Sequence, residues 1–144
     1  MKKRKENVLL GRAVRVHMDL TVDPVGKQGA FGTIIGADAA SDWIRVGFEN
    51  GLAGDYQFNS LETLATRKAL LYGLTIKNGT INRENFRAIQ NVIALTFQGK
   101  RLEALKLAYS NVVTERFCLV RVDEYFEIRS NIKKYLDIPG KGLR

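Results

Sequence analysis

Thiol and imidazole side chains are nearly missing from this chain, which has one cysteine, Cys118, and one histidine, His17. An internal disulfide, a multi-cysteine zinc site and a His-rich metal site are therefore excluded, and a Cys-His pair is the only one a nucleophilic mechanism could draw on. Cys118 sits in the apolar run FCLV, where a thiol acts as a small buried hydrophobe. His17 has no second ligand near it in sequence. No run of roughly 18 apolar residues occurs, so no membrane span is expected. The start, MKKRKENVLLGRA, is basic but lacks the apolar core of a secretion signal, and a cytoplasmic location is the expectation. Proline is scarce: Pro24 marks a bend and Pro139 the end of the last periodic segment.

Catalytic patterns are thin as well. Asp123, Glu124 and Glu127 read as the first turn of a helix, where negative charge is favourable, rather than as an acid-base pair in a cleft. Gly26, Gly29 and Gly32 are not followed by Lys-Ser, Lys-Thr or a helix, which argues against a phosphate-cradling loop. No enzymatic activity and no cofactor are expected.

What is present is patterning. With 144 residues and 45% hydrophobic content, the chain can bury a core as one domain or two small ones. In WIRVGFENGLAGDYQF, residues 43 to 58, Ile44, Val46 and Phe48 alternate with Trp43, Arg45 and Gly47. After Asn50-Gly51, Gly54, Tyr56 and Phe58 alternate with Ala53, Asp55 and Gln57. Period-2 alternation on both sides of Asn-Gly predicts a hairpin closed by a tight type I′ turn. Phe48, Tyr56 and Phe58 have the parity of the buried face. GRAVRVHMD predicts a first strand with Arg15 and His17 on its outer side. LTVDPVGKQG is a turn-rich connection, and AFGTIIGAD predicts a second strand with a bulge or strong coil at Gly32. NSLETL reads as one helical turn, capped by Asn59 or Ser60, before a closing strand.

These residues carry a family resemblance. GRAVRV followed by VGKQGAFGTIIGAD resembles the KOW motif of ribosomal proteins and transcription elongation factors, and WIRVGFENGLAGDYQFNSLETL is similar to strands three to five of Tudor-type small barrels. The resemblance covers residues 11 to 64 and implies a five-stranded antiparallel barrel that binds nucleic acid, modified side chains or a transcription or ribosomal protein. Trp43 and Arg45 have the outer parity. Trp43 suits two roles, covering the barrel's open end or standing exposed to stack on a base or anchor a partner.

From Ala65 the periodicity becomes helical. TRKALLYGLTIKNG fits a short helix with a loop, or a strand pair around Asn78-Gly79. Asn82 is an N-cap, and Phe86, Ile89, Ile93 and Phe97 recur at three- and four-residue spacing on one face, with Arg83 and Arg87 toward solvent. Gln98-Gly99 stops that helix. A second helix over KRLEALKLAYSNVV puts Leu102, Leu105, Tyr109 and Val112 on a stripe, with Lys100, Glu103 and Lys106 opposite. A third helix, capped by Asp123, turns Tyr125, Ile128, Ile132 and Tyr135 or Leu136 inward and Arg129, Lys133 and Lys134 outward. The expected class is α+β, with a basic arm (1–10), a KOW/Tudor-like barrel (11–64) and a basic three-helix region (65–144). This small layout resembles accessory proteins encoded by bacteriophages.

Charge points to a partner. Residues 1 to 64 hold eight basic and eight acidic residues, whereas residues 65 to 144 hold fifteen basic and seven acidic, so the formal +8 resides in the second half. Lys2, Lys3, Arg4 and Lys5 form an arm that is either a solvated terminus or a phosphate-seeking one. The candidate nucleic-acid-binding residues are therefore that arm, Arg15, Trp43 and Arg45 on the barrel, and Lys100, Arg101, Lys106, Arg129, Lys133 and Lys134 on the helices. The competing expectation is an adaptor whose acidic barrel docks a polymerase, ribosomal or other partner protein.

Overall fold

Alternating apolar residues do build the first unit. In a computed structural model, which describes residues 8–17, 27, 29–77 and 79–130, Val14, Val16, Ile34, Ile44, Val46, Tyr56 and Leu61 are buried. They belong to strands β1 (Ala13–Val16), β2 (Phe31–Asp38), β3 (Trp43–Gly47), β4 (Ala53–Tyr56) and β5 (Leu61–Leu64). A sixth strand, β6 (Leu119–Arg121), completes one sheet in the order β4-β3-β2-β1-β5-β6. The helices are α1 (Arg67–Lys77), α2 (Arg83–Phe97), α3 (Arg101–Ala108), α4 (Val112–Cys118) and α5 (Val122–Ser130). Two compact units result, one of Met1–Thr63 with Arg121–Asp123 and one of Leu64–Val120 with Glu124–Arg144.

The α+β class is as expected, but the closed five-stranded barrel is not. Among the described residues the sheet is open and six-stranded, because β6 lies beside β5 at one end of the strand order and β4 stands at the other. That sixth strand comes from FCLVR. Leu119 and Val120 are both buried, so no polar alternation betrays the strand, and a short apolar run has no readable period.

The hairpin forms where expected, with a different turn. The Gly51 amide donates to the Phe48 carbonyl and the Phe48 amide to the Leu52 carbonyl, at 3.0 and 2.9 Å, which leaves Glu49, Asn50 and Gly51 as a three-residue loop. Only Gly51 takes a positive φ, +86°, so the loop is a right-handed turn ending in a left-handed glycine, not type I′. The Asn50 side chain accepts from the Leu52 amide at 3.0 Å and holds the loop. Pairing then matches Arg45 with Asp55 and Val46 with Gly54. Phe48, Tyr56 and Phe58 are buried as their parity required, and the Phe48 and Tyr56 rings meet edge to face at 6.4 Å.

Of the two alternatives at Gly32, the bulge lies elsewhere. Gly32 pairs regularly with Val14, and the register slips between Ile34 and Gly36 instead, which pushes Ile35 out to 55% exposure. What Gly32 provides is space: a Cβ there would lie 2.5 Å from Val46 Cγ1 and 2.9 Å from the Gly47 carbonyl oxygen. After β4 the chain makes one 3-10 turn, Phe58–Ser60, and enters β5 as read from NSLETL. Asn59 and Ser60 lie inside that turn rather than capping it. Most of the turn-rich connection, LTVDPVGKQG, lies outside the described residues.

In the second unit, α1 resolves the open alternative at TRKALLYGLTIKNG in favour of a helix, capped by Thr66, whose hydroxyl accepts from the Ala69 amide at 3.1 Å. Asn82 caps α2 through a 2.8 Å bond from the Asn85 amide. At the other end, Gly99 takes φ +76°, its amide bonds the Thr96 carbonyl, and the Lys100 amide bonds the Leu95 carbonyl, so the helix stops in a Schellman motif. Ile89 and Ile93 are buried, but Val92 joins them in place of the ends of the expected stripe. Phe86 is half-buried and Phe97 is 62% exposed. Four-residue steps advance by more than a full turn, so a stripe of i+4 residues drifts off the packed face within two turns.

The single second helix is two. After α3 the chain turns at Tyr109-Ser110, and Asn111 starts α4 by accepting from the Thr114 amide at 2.8 Å. Asn111 is therefore a cap, and Val112, expected in the buried stripe, is 60% exposed while Leu102 is half-buried. Phe117 and Cys118 are fully buried. Around α2 pack α1, α3 and α4. In α5, Tyr125 and Ile128 are buried as expected. Asp123 is not its cap but its second residue, and accepts from Nε and Nη2 of Arg121, each at 3.0 Å. Ile132, Tyr135 and Leu136 lie outside the described residues. Where three helices were expected, the described residues form five.

Candidate nucleic-acid interface

Residues of one parity on β1 to β4 make the outer face of the sheet. Gly36 pairs with Arg45 and Asp38 with Trp43, so the Trp43 side chain rises beside a position with no side chain. Its ring carbon Cζ3 would be 3.7 Å from a Cβ at Gly36, which makes Gly36 the floor under the indole. The indole is half-buried, and the Arg45 guanidinium lies 5.7 Å from its centroid. Trp43 and Arg45 are thus brought together as their shared parity implied.

The charge of Arg45 is not open. Its Nε and Nη2 donate to the two carboxylate oxygens of Asp55 at 2.8 and 3.0 Å. This two-bond fork matches guanidinium to carboxylate geometry. Hydrogen bonding from Arg45 outweighs the effect of burial and holds the Asp55 carboxyl below the ordinary aspartate range, while the same bond raises Arg45. A carboxylate whose folded value is depressed stabilises at neutral pH and loses that contribution only as pH falls through the folded value. Both groups are about half exposed, so the effect on stability is small. An NMR titration is expected to show Asp55 ionising below an unpaired aspartate, and Arg45→Ala to remove the difference.

Arg15 is also engaged. Its Nε donates to the Gly29 carbonyl at 3.1 Å and its guanidinium lies 5.6 Å from the Phe31 centroid. The partners that tie down these two arginines, Asp55 and the Gly29 carbonyl, escaped the sequence reading. The Asp55 partnership was hidden by the turn type, which shifts the pairing by one residue.

On the helical unit, Lys100, Arg101, Lys106 and Arg129 are exposed. Lys100 and Arg101 open α3 side by side. Lys106 stands on the same helix three residues after Glu103, on the side turned from the buried Ala104, Leu105 and Ala108. Arg129 is on α5. Lys2, Lys3, Arg4, Lys5, Lys133 and Lys134 lie outside the described residues. Further exposed cations sit at Arg67, Lys68, Arg83, Arg87 and Arg116, while the ion pairs Arg45–Asp55 and Arg121–Asp123 belong to the sheet unit.

Among the described residues there is no cluster of three or more His, Cys, Asp or Glu able to hold a metal, and no helix long and apolar enough to cross a membrane. Comparison with protein-family models, with curated proteins and with solved structures returns no match.

Proposed function

We propose that this chain is a non-enzymatic, cytoplasmic nucleic-acid-binding accessory protein, of the kind bacteriophages encode, that acts on transcription or nucleoprotein complexes through phosphate contacts. The single observation that supports this reading is the difference between the two units. On the sheet, Arg45 and Arg121 are neutralised by Asp55 and Asp123. On the helical unit, Arg67, Lys68, Arg83, Arg87 and Lys100 are displayed to solvent, with only Glu84 and Glu103 as acidic residues on α1 to α3. Displayed cations release counterions from a polyanion; paired ones do so only after breaking their pair. DNA is the favoured polymer, and no cofactor takes part.

The test is a salt titration of binding to duplex DNA, single-stranded DNA and RNA in parallel. Affinity is expected to fall steeply with salt, with a slope corresponding to roughly four to six phosphates. Binding that is absent at low salt, or insensitive to salt, would overturn the proposal. A companion variant, Asp55→Asn, releases Arg45. If the sheet's outer face lies on the polymer, this variant steepens the slope by about one phosphate; an unchanged slope removes that face from the interface.

A second reading is favoured by the neutrality of that face. Trp43, the self-paired Arg45 and the exposed Ile35 suit a protein surface better than a phosphate backbone. In this reading the sheet docks a polymerase, ribosomal or other partner protein, and Trp43→Ala abolishes co-purification of that partner while DNA affinity holds.

A further inference from the structure

Phe97 is the last residue of α2, and the packing of the helical unit makes little use of it. Its ring is 62% exposed although Ile89, Val92 and Ile93 of the same helix are buried. One neighbour claims it: the guanidinium of Arg67, at the start of α1, lies 4.5 Å from the ring centroid. That is the closest of the three arginine-ring approaches described here, and it brings two helix ends together at the surface of one unit.

Around this pair the chain supplies cations. Lys68 follows Arg67 and is exposed. The Schellman turn at Gly99 folds the chain back immediately after Phe97, its Lys100 amide bonding Leu95, so that Lys100 and Arg101 leave the turn within three and four residues of the ring. All four cations and the ring are exposed and belong to the same unit. No acidic residue occurs between Phe97 and Arg101 or immediately beside Arg67.

An exposed aromatic ring stacked with a guanidinium is a planar surface, and planar surfaces bind nucleobases. Lysine and arginine beside such a ring meet the phosphates on either side of the stacked nucleotide. A protein partner would meet the ring with apolar groups but would have to neutralise the cations beside it, whereas a polynucleotide supplies the flat face and the negative charge together. Duplex DNA offers its phosphates but keeps its bases stacked inside.

We infer that Phe97 and Arg67, flanked by Lys68, Lys100 and Arg101, form a stacking platform for an unpaired base of a single-stranded nucleic acid. This rests on the nucleic-acid reading above and narrows it to the polymer form and the residues that touch a base. The ring supplies the stacking, Arg67 keeps the ring's far side occupied and adds a cation, and Lys100 and Arg101 hold the backbone.

The experiment uses the full chain and three probes of equal length, roughly 15 nucleotides per strand: single-stranded DNA, the same strand made abasic, and duplex. Phe97→Ala is expected to weaken binding to the single strand by about 5- to 100-fold, with the salt slope unchanged, and to leave the abasic strand and duplex unaffected. Phe97→Trp restores the affinity. Arg67→Gln weakens single-strand binding and lowers the slope by about one. Because Phe97 is a surface residue, circular dichroism of Phe97→Ala is expected to match wild type. If wild type binds duplex with a steep salt slope but Phe97→Ala holds single strands as tightly as wild type, or loses all three probes equally, the platform is overturned and the phosphate-gripping reading stands. If wild type binds none of the three, both are overturned.

Discussion

Gly32→Ala is expected to destabilise the sheet unit by about 3 kcal/mol, at the upper end of what overpacking costs, and to move the urea midpoint down accordingly. The added Cβ would arrive 2.5 Å from Val46 Cγ1 and 2.9 Å from the Gly47 carbonyl oxygen. A side-chain methyl can rotate away, but the carbonyl belongs to the neighbouring strand and cannot. Two other glycines of the same sheet calibrate the effect. At Gly47 the nearest atoms are the side chain of the exposed Ile35, at 3.4 Å, and at Gly36 they lie at 3.7 Å. The expected order of destabilisation is therefore Gly32→Ala, then Gly47→Ala, then Gly36→Ala, the last near neutral. Equal unfolding midpoints for the three would show that the close approach at Gly32 does not exist.

Phe117→Ala is expected to have the larger effect, about 3–5 kcal/mol, with the melting temperature lowered by on the order of 10 °C. Phe117 is the largest side chain with no solvent exposure among the described residues, and removing its ring leaves a cavity that Cys118, Leu119 and their neighbours, buried as well, cannot collapse into freely. Because Phe117 belongs to the helical unit, hydrogen exchange is expected to report the loss there. The contrast with Phe97→Ala is sharp: the same chemical change at 62% exposure is expected to leave the melting temperature within about a degree or two. A Phe117→Ala protein that melts with the wild type would disprove the packing described for α4.

Much of this fold could be read locally. The strand alternation around Ile44, Val46 and Phe48, the cap at Asn82 and the stop at Gly99 each depend on residues within a few positions, and each stands in the structure. Even the turn was legible. The buried residues are even-numbered on both β3 and β4, and directly paired residues share a face, so only a loop of odd length satisfies both strands. Asn50-Gly51 as a two-residue turn contradicts that parity, and the three-residue loop honours it. Following the parity would also have placed Asp55 opposite Arg45.

Other features were beyond local pattern. Phe97 repeats the spacing of a core residue, yet the core stops short of it, and how far neighbouring helices extend is not written in α2 itself. Asn111 could equally be an exposed polar residue in a continuing helix or the cap of a new one, and only the packing of α3 and α4 around α2 selects the cap.

What the sequence by itself determined is the α+β class, the positions of the first five strands and the excess of positive charge in the second half, because period-2 alternation, caps and charge are properties of neighbours. Tertiary structure alone decided that the sheet is open with a sixth strand, that Arg15 is held by the Gly29 carbonyl, and that Phe97 faces solvent beside Arg67. Each of these joins residues ten or more positions apart, and a pairing between distant residues is selected by the free energy of the whole packed unit rather than by the residues on either side.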